Sequence, residues 1–448
     1  MSKSVTKDMT VGSPMRLIVS FFIPLLLGML FQQFYSMMDT IIVGRCLGVN
    51  ALAAVGSTGS VNFMIIGFCM GVCNGFAIPV AQRFGAKDQT GLRKFVANSV
   101  WLSIVFAVIM TIVTCILCRQ IMTWMRTPAD IFEDANTYIF IIFIGIPATY
   151  LYNLVSGIIR SLGDSRSPLF FLIVSSVLNI GLDFLFILTF HMGVAGAAWA
   201  TVISQAVSGI GCLFYMKHKF EILKIRPEEW KMDTKYMKIL CGMGIPMGLQ
   251  YSITAIGSVI LQTAVNTLGS SAVAAITAGS KVSMFFCCPY DAMGSTMATY
   301  AGQNVGAGKL DRVKKGMLSC CLLGLIYAVL AFVFLFFFGR YTALLFMKAS
   351  EKAILGNVTT FLLINSAFFF PLSLVNIIRF TIQGMGYSVL AICAGICEMV
   401  ARSIVGFVFV PMWGFVAACF ASPVAWICAD IFLIPAFFYC LRRLKKVY

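Results

Sequence analysis

The chain has 448 residues, of which 60% are hydrophobic and 11% charged, with a mean hydropathy of +0.93. A soluble protein of this length needs far more polar surface, so the composition excludes that class. The net charge of +16 raises a nucleic-acid partner, which the distribution of the charges then excludes.

The apolar residues fall in continuous runs, such as Ile139 to Leu154 and Leu318 to Phe338. Barrel strands alternate every second residue in segments of about ten instead. Runs of about 20 apolar residues are what an α-helix needs to cross a hydrocarbon core. The chain therefore reads as an all-α polytopic membrane protein. Twelve spans are expected, at about 16–46, 51–82, 94–117, 132–158, 167–190, 194–216, 236–266, 272–302, 316–338, 354–379, 388–410 and 414–440. The first carries Pro24, which removes a backbone donor and invites a bend. No small-residue cleavage site follows its apolar run, which argues against a removed signal peptide.

Of the 33 Lys and Arg residues, 24 lie in the N-terminal tail, the loops after even-numbered spans and the C-terminal tail. Six lie in the opposite loops, and Lys281, Arg379 and Arg402 lie within or at the end of spans. That asymmetry is the positive-inside pattern, so a multi-pass cell (inner) membrane protein with both termini cytoplasmic is expected. The longest basic loop, Lys217 to Lys238, also holds Glu221, Glu228, Glu229 and Asp233. It reads as a solvated linker, with anionic lipid head groups as a second use of its charge. Sixteen cysteines include a C-x-x-C at Cys115 and Cys118, but the two histidines, His191 and His218, stand apart from any cysteine pair. Zinc or redox chemistry fits this spacing poorly; cysteine as a small apolar helix residue fits better.

The chain repeats itself. Leu47-Gly48-Val49-Asn50-Ala51-Leu52-Ala53-Ala54-Val55 is answered 221 positions on by Leu268-Gly269-Ser270-Ser271-Ala272-Val273-Ala274-Ala275-Ile276. Gln82-Arg83-Phe84-Gly85-Ala86 is answered by Gln303-Asn304-Val305-Gly306-Ala307, and Gly193, Ala197 and Ala200 by Gly414, Ala418 and Ala421. Asn153 and Gly163 match Asn376 and Gly386 at a shift of 223. Each repeat holds six spans, an even number, so both copies enter the membrane in one orientation. The expected organisation is two six-helix bundles related by a pseudo-twofold axis along the membrane normal: a lobe at 1–216, a cytoplasmic linker at 217–235 and a lobe at 236–448.

Acids inside spans are costly and need a partner, a cavity or a neutralising proton. Asp39 on span 1, Asn179 and Asp183 one turn apart on span 5, and Thr201 on span 6 all fall in the outer half of the first lobe by helix rise. Two carboxylates, an amide and a hydroxyl there could share protons or hold a small hard cation such as sodium. Interhelical bonding is the inert alternative, strongest for Asn179. Glu398 stands four residues before Arg402 on span 11, which reads as a structural pair. Gln33, Lys281, Asp291 and Asp430 are candidates for lining a substrate cavity.

The chain resembles the multidrug and toxic compound extrusion (MATE) family from about Ser13 to the last span. The resemblance rests on Asp39-Thr40-Ile41-Ile42-Val43-Gly44-Arg45, Ala53-Ala54-Val55-Gly56, Ala81-Gln82-Arg83-Phe84-Gly85-Ala86, Gly302-Gln303-Asn304-Val305-Gly306-Ala307, Arg160-Ser161-Leu162-Gly163-Asp164 and Gln383-Gly384-Met385-Gly386. It implies a V-shaped pair of six-helix bundles that exports lipophilic, often cationic compounds in exchange for protons or sodium; a monomer with no cofactor beyond the coupling ion is expected. It also implies a cation site at Asp39, Asn179, Asp183 and Thr201, and a hinge at Pro24. Some members use acids on spans 7 and 10, and this sequence has none there. A flippase for lipid-linked precursors, from the same superfamily, is the alternative. A membrane enzyme would need a nucleophile–base or metal constellation that the sequence does not offer, and a channel fits the two-lobe repeat less well than a carrier.

Overall fold

The computed structural model describes residues 6–344 and 352–447, and those residues are helical apart from turns and short connections. The helices are α1 (Pro14–Leu47), α2 (Val49–Ser57), α3 (Gly59–Gly85), α4 (Gln89–Trp124), α5 (Phe132–Ile144), α6 (Ile146–Ser161), α7 (Arg166–Phe184), α8 (Val194–Lys219), α9 (Thr234–Asn266), α10 (Ser270–Gly306), α11 (Leu310–Ala343), α12 (Lys352–Ala367), α13 (Phe369–Gly384), α14 (Ser388–Ile404) and α15 (Val410–Leu444). Among the described residues nine helices are long and apolar enough to cross a membrane. Two bent pairs, α5–α6 at 45° and α12–α13 at 50°, raise that to eleven. One of the nine is the 57-residue run Ser388–Leu444, which Gly414 interrupts with φ 62 and ψ −139. Divided there it gives two spans, and the twelve expected from the sequence are all present.

The spans are apolar outside as well as inside. Only 22% of the most apolar window of α4 is buried, and the same holds for α11. On α4 the exposed residues Ile104, Val105, Val108, Ile109, Ile112, Val113 and Ile116 recur at helical spacing. In water that stripe would be an aggregation hazard; in a bilayer it is the solvated face. Inward faces use small residues that let backbones approach, such as Ala197, Ala198 and Ala200 on α8, all fully buried.

The helices form two compact units: residues 6–9 with Ile23–Tyr251, and Thr10–Phe22 with Ser252 onward. Each unit is built on one template. Helices α3 and α6, α6 and α8, and α7 and α8 pack together in the first; α10 and α13, α13 and α15, and α14 and α15 do so in the second. Backbone specials recur at the sequence shift: Gly48 (φ 92) with Gly269 (φ 93), Gly193 (φ 61) with Gly414 (φ 62), Gly163 (φ 86) with Gly386 (φ 97), and Lys87 (φ 58) with Gly308 (φ 69). A wide π-type turn follows α7 at Leu185–Thr189 and α14 at Val405–Phe409.

Gly193 and Gly414 need glycine because positive φ with strongly negative ψ is closed to side-chain-bearing residues. Gly163 needs it twice over. A Cβ there would lie 2.0 Å from the Lys7 carbonyl oxygen, and the Lys7 N–H donates to the Leu162 carbonyl at 3.0 Å, pinning the N-terminal segment to the α6–α7 turn. Alanine at Gly193 or Gly414 should cost roughly 1–3 kcal/mol of stability. Gly163→Ala should cost more and should also expose the N-terminal segment to protease. Thermal unfolding with limited proteolysis checks this; an unchanged midpoint for Gly163→Ala would contradict it.

The connection between α8 and α9 is not the solvated linker expected from its charge. Phe220, Leu223 and Glu229 are buried, and short 3-10 turns occupy Glu221–Leu223 and Pro227–Trp230. Arg93 Nε–H on α4 donates to both Glu229 oxygens at 2.9 and 2.8 Å, and the Arg226 N–H adds a bond of 2.8 Å. The Asp233 N–H donates to Asn98 at 2.9 Å, and Trp101 Nε1–H to the Trp230 carbonyl at 2.9 Å. Burial pushes the Glu229 carboxyl up, but the Arg226 N–H and the Arg93 guanidinium outweigh it and hold the group below its ordinary value. A carboxyl depressed by docking stabilises the docked form above its undocked pKa, and that stabilisation is lost as pH falls through the docked value. The linker should therefore remain docked at about pH 5 and detach only below the ordinary carboxylate range near 4. Tryptophan fluorescence, taken as the difference between wild type and Trp230→Phe, reads the transition; detachment above pH 5 would contradict it.

Candidate functional site

The site in the first unit starts from α7. Its last two turns place Asn179 and Asp183 on one face, 1% and 0% exposed, just before the wide turn. The matching turn after α14 has no such pair beside it, so the turn belongs to the template and the acid to this unit. Across from α7, Thr201 on α8 donates to the Ala197 carbonyl at 3.1 Å and accepts from Asn179 Nδ2 at 3.3 Å. Asp39 on α1 is 9% exposed, and its carboxylate interacts directly with that of Asp183. The four residues expected to form one pocket are thus brought together.

Three residues that sequence reasoning missed complete it. Tyr35, one turn before Asp39 on α1, and Tyr138 on α5 are both electrostatic neighbours of Asp39 and Asp183. Gln205, one turn after Thr201 on α8, bonds Tyr35 and accepts from Thr149 at 2.9 Å. A search one turn either side of the expected residues finds Tyr35 and Gln205, whereas nothing in the sequence points to Tyr138.

The hydrogen-bond inventory of this pocket does not close. Asp39 Oδ1, Asn179 Oδ1 and both Asp183 oxygens are buried without a donor. All four are acceptors, and an unmet buried acceptor of this kind costs about 1–3 kcal/mol, more where the group is charged. Two carboxylates at close quarters in low dielectric also repel. One proton shared between them, or one hard cation with oxygen ligands, answers both problems.

The second unit does not repeat this pocket. Glu398 on α14 accepts from Arg402 on the same helix at 3.4 Å, as expected, but Arg379 on α13 is its second and closer partner. Asp430 on α15 is buried beside Arg379 and Glu398, with Oδ1 lacking a donor. Asp291 on α10 is exposed, accepts from Asn376 Nδ2 at 3.3 Å and lies within the field of Arg379. Lys281, also on α10, is exposed. Gln33 lies six residues before Asp39 on α1 and so leaves that helix roughly 120° away from it. The structure therefore does not gather Gln33 with Asp39 and Asp183.

A duplicated all-helical bundle with apolar spans, and with buried carboxylates that lack a basic partner in its first repeat, is the form of a polytopic membrane protein. The MatE family model matches this chain twice, at residues 24–185 and 246–410, once in each repeat. The chain belongs to the MATE family. It is 30% identical over 373 residues to the probable multidrug resistance protein YpnP of Bacillus subtilis (strain 168), covering 83% of this chain and 82% of that protein. It is 23% identical over 391 residues to the FAD transporter of Shewanella oneidensis, covering 86% and 85%. A crystal structure of MATE in complex with MaL6 superposes with a TM-score of 0.93 at 24% identity over 100% of both chains. The outward-facing conformation of a multidrug resistance MATE family transporter gives 0.93 at 24% over 99% of each. These two likenesses speak to fold.

Arg379 changes what the Glu398 pair should do on mutation. Glu398→Gln leaves two buried guanidinium groups without their carboxylate, a loss of about 3–5 kcal/mol. Adding Arg402→Met should restore little, because Arg379 remains unpaired, whereas adding Arg379→Met should recover part of the loss. Unfolding midpoints of the three variants decide this; full rescue by Arg402→Met would return Glu398 to an isolated pair with Arg402.

Proposed function

We propose that this protein is a secondary antiporter of the cell membrane, exporting lipophilic, often cationic compounds in exchange for protons or sodium by alternating access. The observation that carries the reading is the set of donorless acceptor oxygens on Asp39, Asn179 and Asp183. An incoming proton or sodium ion supplies what those oxygens lack, and its departure restores the repulsion between the carboxylates. Binding of the ion thus changes the energy of packing α1 against α7, which is what coupling requires. Thr201 would act as a neutral fourth ligand, and Tyr35, Tyr138 and Gln205 as the surrounding polar shell.

Pro24 fits a hinge in this scheme. The assignment of α1 to two units changes between Phe22 and Ile23, next to the proline that deletes a backbone hydrogen bond. Pro246 on α9 occupies the equivalent place, close to the change at Tyr251. Among the candidates for substrate contact, the exposed Asp291 and Lys281 are accessible to a ligand, and Asp291 suits a cationic one. Asp430 is buried and acts through Arg379, and Gln33 has only its position on α1 to recommend it. The relatives named for multidrug resistance favour export over the lipid-precursor flippase. Positive charge on one side supports cytoplasmic termini, and nothing in the reading requires more than a monomer.

Asp39→Asn and Asp183→Asn should each abolish coupled export while leaving insertion and folding intact. Efflux of a cationic dye from proteoliposomes, under proton and sodium gradients imposed separately, measures this and identifies the ion. Wild-type rates in either variant at equal incorporation would refute the assignment.

A further inference from the structure

The docked linker changes the charge that the first unit presents at one edge of its apolar belt. In sequence the stretch Lys217 to Lys238 mixes acids with bases and looks partly self-neutralising. In the structure two of its four acids, Glu229 and Glu221, are paired with bases. Glu229 is buried against Arg93 and the Arg226 N–H. Asp233 accepts from the Lys235 N–H at 2.9 Å, and Glu221 pairs with Lys224 at 3.4 Å. Glu228 and Asp233 keep their charge, with no ion pair among the described residues. Lys231, Lys235 and Lys238 point outward, and none is in an ion pair among the described residues. Three outward lysines against two uncompensated acids leave a ledge with a positive surplus that Glu229, buried on Arg93, no longer offsets.

The position of the ledge is fixed by the side chains around it. The exposed apolar stripe of α4 begins at Ile104, one turn after Trp101. Trp101 meets Trp230 edge to face with ring centroids 6.3 Å apart, and indoles of this kind mark the head-group level of a bilayer. On α9 the first exposed apolar residue is Ile239, one turn after Lys235 and next to Lys238. Trp230 and Met232, on either side of Lys231 in sequence, are both exposed. Lysine stems beside apolar surface of this kind can lie along it and carry their ammonium groups to the level of lipid phosphates. The ledge is also rigid, because Arg93, Asn98 and Trp101 on α4 each hold the linker by a hydrogen bond of 2.8 to 2.9 Å.

We propose that Lys231, Lys235 and Lys238, framed by Trp230 and Met232, form a binding site for the phosphate head group of an anionic phospholipid in the leaflet beside the linker. A free phosphate ion offers the same charge but no acyl chains to lie against Trp230, Met232 and Ile239, so the lipid is the occupant that uses the whole surface. The site binds lipid independently of whichever ion drives transport, and its ligand reaches it laterally through the bilayer.

The test uses the full-length protein in nanodiscs of phosphatidylglycerol or of phosphatidylcholine, with retained lipid measured by native mass spectrometry and stability by thermal unfolding. Wild type should retain phosphatidylglycerol and unfold at a higher temperature in it than in phosphatidylcholine. By the worth of a lysine near a charged surface, K231Q, K235Q and K238Q combined should weaken retention on the order of a hundredfold and remove the phosphatidylglycerol-dependent shift. Its unfolding temperature in phosphatidylcholine should match wild type, since all three side chains are exposed. K314Q with K315Q, in the other unit, should keep both the retention and the shift. Undiminished retention in the triple variant, or equal loss in the K314Q/K315Q control, would overturn the proposal. So would an equal thermal shift from millimolar inorganic phosphate in phosphatidylcholine.

Discussion

The structure of the first unit depends on a deficit: buried oxygens on α1 and α7 outnumber the donors that reach them. A helix bundle in hydrocarbon has no water with which to settle such an imbalance, so each carboxylate must find a proton, a cation or a basic side chain. Around Asp39 and Asp183 there is no basic side chain among their described neighbours. Their company is a second carboxylate, an amide, hydroxyls and two phenols. Phenols and amides can orient and polarise a bound ion but cannot replace its charge. In the proposed scheme this arrangement takes one small cation at a time, held by α1, α7 and α8 together.

Duplication supplied the scaffold, and the chemistry lies in the departures from it. Glycines with positive φ, bent helix pairs and wide turns recur in both units at nearly the same shift. The charges do not recur. In the first unit the polar residues of α7 form an acceptor-rich pocket. At the corresponding depth α14 carries Glu398 between two guanidiniums, with Asp430 alongside. One unit lacks basic partners for its buried acids; the other has its own cations built in, and these tie α13 to α14 by ion pairing. The same backbone has thus been put to two electrostatic uses.

Much of this was legible in the sequence, and the reasons are physical. Continuous apolar runs gave the spans because hydrocarbon imposes a length of about 20 residues. The repeat was visible because glycine at positions such as Gly193 and Gly414 cannot be exchanged for another residue. Asp39, Asn179, Asp183 and Thr201 stood out because a carboxylate in a span needs a reason. What could not be read were partnerships between helices distant in sequence. Tyr138 reaches the pocket only through the packing of α5, and Arg379 reaches Glu398 only through the packing of α13 on α14. The linker misled for the same cause: its loop composition suggests solvation, but Arg93, 136 positions away from Glu229, gives that acid a buried partner that no local pattern shows. Breaks within spans, at Thr58, Gly145 and Phe368, were likewise invisible, since hydropathy continues across them.

The central claim is that Asp39 and Asp183 take up the coupling cation in one shared site. Infrared difference spectroscopy of the purified protein in lipid tests it without any transport assay, because a protonated carboxyl and a carboxylate absorb at different frequencies. Raising the pH, or adding sodium at fixed pH, should remove a protonated-carboxyl band in the wild type, and that band should be missing from Asp39→Asn combined with Asp183→Asn. A band that persists unchanged in the double variant, with the same response to pH and sodium, would contradict the account.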